Sequence, residues 1–291
     1  MGFRDLPHQA PFAAEAANEY ARRALSASEI AAGRVRNDLD IPYGNDYWQK
    51  VDVYLPEDRS LANLPVILFI HGGGWTHGYK EWMGFMAPAI VGYPAIFVSV
   101  SYRLAPDNKF PTPLEDCFCA LKWVFDNIFH YGGDPKRIYV GGHSAGAHLA
   151  SLVTLRHDLA ERFGLQPSVV RGCFPVSGVY TFEFETRAPG SSEQRFYDSL
   201  LSGPDQARGA SPVNFTANNR TPFLLTYGTK DLEIVIRTSR LMQTALEKGP
   251  APCRFMIREG LDHFQTNLQA ADPNDAWINA VKLHIQQDTS G

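Results

Sequence analysis

Three positions carry the chemistry in this sequence: a serine in Gly142-His143-Ser144-Ala145-Gly146, an aspartate in Tyr227-Gly228-Thr229-Lys230-Asp231, and a histidine in Gly260-Leu261-Asp262-His263-Phe264. A serine hydroxyl is a weak nucleophile. It needs a base to take its proton and an acid to orient that base, and Ser144, His263 and Asp231 fill those roles in the chain order serine, acid, histidine. The glycines flanking Ser144 remove Cβ atoms that would collide in a tight turn, and a helix starting at the serine aims its free N–H groups at a developing oxyanion. A second glycine stretch, His71-Gly72-Gly73-Gly74-Trp75, is suited to bring backbone N–H groups against a substrate carbonyl. We assign that part to Gly73, Gly74 and Ala145, and His71 to support of the loop. A phosphate-cradling loop is disfavoured because no Gly-Lys-Ser/Thr follows.

Other residues could compete for these roles. Glu233 lies near Asp231, and Asp262 adjoins His263, where neighbouring side chains rarely face each other. His143 and His148 flank the serine, and His284 falls in the last helix, where solvent exposure is expected. His143 is expected to line the pocket or support the turn. Trp75 and Tyr79, with Trp82 and Phe85, follow the glycine loop; Tyr180, Phe182, Phe196 and Tyr197 fall further along, and Phe264 follows the histidine. Trp75, Tyr79, His143, Phe182 and Phe264 are the pocket candidates, and the aromatic set points to an apolar or aromatic substrate, although many of these rings could serve only packing. Arg103 and Asp116 read as a structural pair.

These residues need elements to hold them. Apolar runs at Trp48–Pro56, Pro65–Ile70, Ala95–Arg103, Arg137–Gly142, Val170–Gly178, Pro222–Asp231 and Cys253–Gly260 read as strands. Helical periodicity covers Pro113 to Gly133, the stretch from the serine to about His157, Ile234 to Lys248, and Asn274 to Gln286. Residues 8–33 read as one or two helices, with Ser28 a potential cap and Gly33 a stop. Alternating strands and helices predict an α/β fold with a mostly parallel sheet flanked by helices. Residues 179–221 interrupt that rhythm. With residues 8–33 they are expected to form a small cap on a single domain spanning 1–291.

The chain has 291 residues, 44% hydrophobic, and a formal net charge of −4, which argues against nucleic acid or an anionic membrane as the main partner. No apolar run is long enough to cross a membrane, and the polar N-terminus does not resemble a secretory signal, so a cytoplasmic location is expected. Cys117, Cys119, Cys173 and Cys253 lack metal-ligand spacing and read as small buried hydrophobes in a reducing compartment. No metal or cofactor is expected.

Taken together, "DIPYGNDYWQKVDVYLP", "HGGGW", "SYRLAP", "GGDPKRIYVGGHSAGAHLA", "YGTKD" and "GLDHF" resemble the α/β-hydrolase superfamily. They are most similar to its branch of kynurenine formamidase-like enzymes and hormone-sensitive-lipase-type carboxylesterases. The resemblance spans about Asp40 to Phe264. It implies cofactor-free hydrolysis of a small-molecule ester, or of an N-formyl or other activated amide, through an acyl-enzyme. Ester hydrolysis is the first expectation and formamidase activity the second; a binding receptor and a lyase on the same scaffold are the rivals from other classes. Homodimerisation is compatible with the sequence.

Overall fold

The computed structural model describes residues 2–182 and 190–288. Eight strands form one sheet in the order β1-β2-β4-β3-β5-β6-β7-β8. They are β1 (Arg36–Pro42), β2 (Lys50–Leu55), β3 (Leu64–Ile70), β4 (Ile96–Val100), β5 (Gly133–His143), β6 (Val170–Val176), β7 (Phe223–Lys230) and β8 (Cys253–Asp262). β2 runs antiparallel to β1 and β4, and every other neighbouring pair is parallel. This is the mostly parallel, helix-flanked sheet expected of the α/β-hydrolase fold.

The strand period of two divides the core into two layers. Along β3, Val66, Leu68 and Ile70 face one layer, with Leu114, Phe118 and Leu121 of helix Thr112–Asn127 and Leu149 and Leu152 of helix Ala145–Leu155. Ile67 and Phe69 face the other, with Tyr20 and Ala24 of helix Glu15–Ala32 and Trp277, Val281 and Ile285 of helix Ala276–Asp288. Central strands covered on both faces read as continuous apolar runs, which is why β3 and β4 were legible.

Several local expectations are corrected. β1 is not among the strands expected from sequence because its Arg-Asn-Asp-Leu-Asp-Ile-Pro run is mostly polar, with only Leu39 and Ile41 alternating; it is a bulged edge strand that turns through Asp40 at φ 60°. Residues 15–32 form one continuous helix, so Ser28 is not a cap. It is buried within the helix, where its hydroxyl accepts the Phe85 N–H at 2.8 Å. The helix begun at Thr112 ends at Asn127 and continues only as a 3-10 turn, Ile128–Tyr131.

All four cysteines are free. Cys117 and Cys173 are buried, whereas Cys119 and Cys253 are only half-buried. Cys119 lies two positions beyond Cys117 on the same helix, which turns it toward the rim. Among the described residues no helix is long and apolar enough to cross a membrane, and no group of three or more His, Cys, Asp or Glu side chains is placed to hold a metal ion. In the 179–221 segment, helix Ser192–Leu200 is capped by Ser191, whose hydroxyl accepts the Gln194 N–H at 3.1 Å. Residues 183–189 and the side chain of Phe196 lie outside the described residues.

Candidate functional site

β5 ends at His143, and helix Ala145–Leu155 begins one residue after Ser144. Between them Ser144 adopts φ 54°, ψ −118°, a conformation that L-residues rarely hold and that costs about 1–3 kcal/mol. Its N–H is anchored to the Val176 carbonyl at 2.9 Å. Glycine is required on both sides of this turn. A Cβ on Gly142 would sit 2.3 Å from the Gly146 carbonyl oxygen, and one on Gly146 would sit 2.0 Å from that of Ile70. The second contact shows how closely the helix is drawn against the end of β3.

The three predicted side chains converge. His263 Nε2 lies 2.9 Å from Ser144 Oγ, and His263 Nδ1 lies 2.7 Å from Asp231 Oδ1. All three residues sit at the carboxyl ends of parallel strands, the edge where open α/β sheets bind ligands. Asp231 is further held by the Leu232 N–H on Oδ1 at 2.8 Å and by the Ser177 hydroxyl on Oδ2 at 2.5 Å. Burial pushes the Asp231 carboxyl upward, but its hydrogen bond with His263, that residue's charge and the Ser177 hydroxyl outweigh burial, so the net shift is downward.

The glycine loop abuts the serine. A Cβ on Gly72 would lie 3.2 Å from Ser144 Cβ. Gly73, Gly74 and Trp75 follow in left-handed conformations, at φ 110°, 62° and 62°. The Gly73 carbonyl turns back to accept the Thr76 and His77 N–H groups, at 3.2 and 3.0 Å. Ala145 opens the helix directly after Ser144, whose positive end is aimed at the site. His71 is a buried support, as expected: Nδ1 donates to the Gly72 carbonyl at 2.7 Å and the ring stacks on Tyr102 at 4.4 Å.

The competing residues separate cleanly. Glu233 is exposed at the start of helix Glu233–Glu247. Asp262 caps the turn after β8, accepting the Phe264 and Gln265 N–H groups at 2.9 and 2.8 Å. His148 is buried; it accepts the Trp75 indole N–H at 3.1 Å and donates to the Ala210 carbonyl at 2.7 Å. His284 is half-buried, with its ring edge-on to Tyr139 and Phe174 rather than solvated. Arg103 and Asp116 form the expected structural pair through two guanidinium nitrogens, and Gln49 joins them at 2.8 Å.

The pocket set is corrected in part. His143 is 1% exposed and donates from Nε2 to the His263 carbonyl at 2.8 Å, so it supports the turn from behind. Trp75 and Phe182, 5.7 Å apart, belong with His148 and Tyr197 to a buried cluster of tilted and edge-on rings. Tyr79 is buried against Trp48 and Trp82, with its hydroxyl on the Pro7 carbonyl. Phe264 keeps partial exposure and meets the His263 ring edge-on at 5.2 Å. Aromatic side chains near a site serve packing as readily as substrate, and sequence alone does not separate the two uses. The reading also missed Ser177 and Tyr20, neither of which lies in a recognisable motif.

The BD-FAE family model matches residues 51–246. Esterase LipC of Mycobacterium tuberculosis is 30% identical over 68% of this chain and 52% of its own length. Kynurenine formamidase of Salmo salar is 35% identical over 53% of this chain and 49% of its own length. The chain therefore spans about half the length of these curated relatives. Among solved structures, the thermostable carboxylesterase EstE1 from a metagenomic library is 26% identical, with 94% of this chain and 96% of that one covered at a TM-score of 0.70.

Proposed function

We propose, from the premise that the chain belongs to the BD-FAE family, that it is a serine hydrolase cleaving small carboxylic esters through an acyl-enzyme at Ser144. The observation that carries this reading is the relay in which His263 stands 2.9 Å from Ser144 Oγ and 2.7 Å from Asp231 Oδ1.

Ser144 Oγ attacks the ester carbonyl while His263 Nε2 takes its proton. Asp231 stabilises the imidazolium, and the N–H groups of Gly73, Gly74 and Ala145 receive the oxyanion. His263 returns the proton to the departing alkoxide, leaving the acyl group on Ser144. Water, deprotonated by the same imidazole, then releases the carboxylic acid and restores the serine. The partly exposed Phe264 beside His263 favours an apolar or aromatic group on the substrate. The sequence likeness to a kynurenine formamidase supports a second reading, in which the same acyl transfer releases formate from an N-formyl amine.

The test compares p-nitrophenyl acetate, p-nitrophenyl octanoate and N-formyl-L-kynurenine, with Ser144→Ala as the blank. Ester cleavage that depends on Ser144 and exceeds deformylation supports the esterase. Preferred deformylation transfers the assignment to the second reading, and full activity in Ser144→Ala overturns both.

A further inference from the structure

His263 lies just beyond the end of β8, so strand pairing does not aim its ring. Its backbone is gripped from elsewhere. The His263 carbonyl accepts from His143 Nε2 and from Thr266 Oγ1, each at 2.8 Å. A carbonyl oxygen can only accept, so His143 carries its proton on Nε2. On the far side of His143, the Tyr20 hydroxyl lies 3.5 Å from Nδ1 and donates to Asn267 Oδ1 at 2.7 Å. The Tyr20 ring stacks on Phe264 at 5.1 Å. Helix Glu15–Ala32 thereby touches the residue after His263, the short helix Gln265–Leu268 that follows, and the residue before Ser144.

We propose that His143, backed by Tyr20, is a positioning residue for His263, so that the N-terminal helix sets the aim of the general base. The proposal rests on the serine-hydrolase reading for its catalytic consequence. His143 exchanges no proton with substrate; it holds the carbonyl of the residue that does. It also has to stay neutral, because its ring centroid is 4.9 Å from that of His263, which becomes cationic during the reaction. Burial, followed by the charge of His263, pushes the His143 imidazole down to about 3, so it stays uncharged while its neighbour takes up and returns the serine proton.

The test measures kcat and KM on p-nitrophenyl acetate, and the low-field proton resonance of the His263–Asp231 hydrogen bond, in wild type, His143→Leu, His143→Gln and Tyr20→Phe. Leu fills similar space without a donor, whereas Gln restores an N–H near the Nε2 position. His143→Leu is expected to lose about 10- to 100-fold in kcat, as slight misplacement of a catalytic group does, with KM within about twofold and the resonance broadened. His143→Gln is expected to recover most of both readouts, and Tyr20→Phe, which keeps the ring 5.5 Å from that of His143 and loses only the bond to Asn267, to stay nearer wild type than His143→Leu.

An unchanged kcat and resonance in a folded His143→Leu overturns the proposal. So does equal loss in the Gln and Leu variants with the resonance intact, and so does a raised KM at constant kcat. If His143→Leu does not fold, His143→Met decides in its place, since it also fills the space without a donor; unchanged kcat and resonance in that folded variant overturn the proposal. Should wild type show no Ser144-dependent turnover, the hydrolase reading fails, while the resonance still tests the positioning on its own.

Discussion

Ser177 holds a left-handed backbone, φ 55°, one residue beyond the end of β6, and from there its hydroxyl donates to Asp231 Oδ2 at 2.5 Å. Its N–H is tied to the Thr226 carbonyl at 2.8 Å, which keeps the residue in that conformation. Hydrogen bonds to charged groups contribute about 1.5–3 kcal/mol. Ser177→Ala is therefore expected to lower kcat by about 10- to 100-fold, while retaining the strained backbone. Ser177→Gly should lose the same activity but melt at a higher temperature than Ser177→Ala, because glycine tolerates positive φ. Steady-state kinetics and thermal melts on both variants check this; wild-type kcat in either one removes Ser177 from the support of Asp231.

Asp231→Asn tests the relay at its far end. The Asp231 carboxylate accepts the Nδ1–H of His263 and so leaves Nε2 free to take the serine proton. An amide N–H facing Nδ1 reverses that preference and leaves Nε2 protonated. We expect kcat to fall by about 10³- to 10⁴-fold with little change in KM. A variant within tenfold of wild type would show that His263 is oriented without Asp231.

Three buried imidazoles make stability depend on pH. Burial is the main cause that lowers His71 to about 4, His148 to about 4 and His143 to about 3, from an ordinary 6.5. They are neutral when folded, whereas the unfolded chain protonates its histidines below about 6.5. The unfolded state thus binds more protons between about pH 6.5 and 4, and stability is lost as pH falls through that window. Urea unfolding at about pH 7 and about pH 5 measures the loss. In His148→Gln the difference between the two pH values should shrink by about 2 kcal/mol, and an unchanged difference would mean that His148 is not held neutral.

Lys80 is 2% exposed and pairs with Asp40 at 2.8 Å, Asp52 at 2.9 Å and Glu81. Burial raises the Asp52 carboxyl to about 7 even though Lys80 opposes the shift. Removing the buried Lys80 ammonium leaves Asp52 and Glu81 without their paired cation, so Lys80→Met is expected to cost about 3–5 kcal/mol in urea unfolding. Asp52→Asn, which removes one of the negative charges instead, should cost less. The reverse order would show that the cluster is held together by packing rather than by charge.

The central strands, the serine turn and the chain order of Ser144, Asp231 and His263 are legible in the amino-acid sequence. Each depends on local stereochemistry: a period of two, glycines where a Cβ cannot fit, and side chains delivered at strand ends. Tertiary structure alone decided which aromatic rings are core, that His143 faces the backbone of His263 and not a substrate, and that Tyr20 and Ser177 belong to the site. The polar edge strand β1 likewise became visible only through its pairing with β2. Tyr20 and Asn267 stand 247 residues apart in the chain, and their 2.7 Å contact exists only once helix Glu15–Ala32 is packed against the segment that follows β8. Local propensities do not encode such contacts, because each depends on where the whole fold places two remote segments.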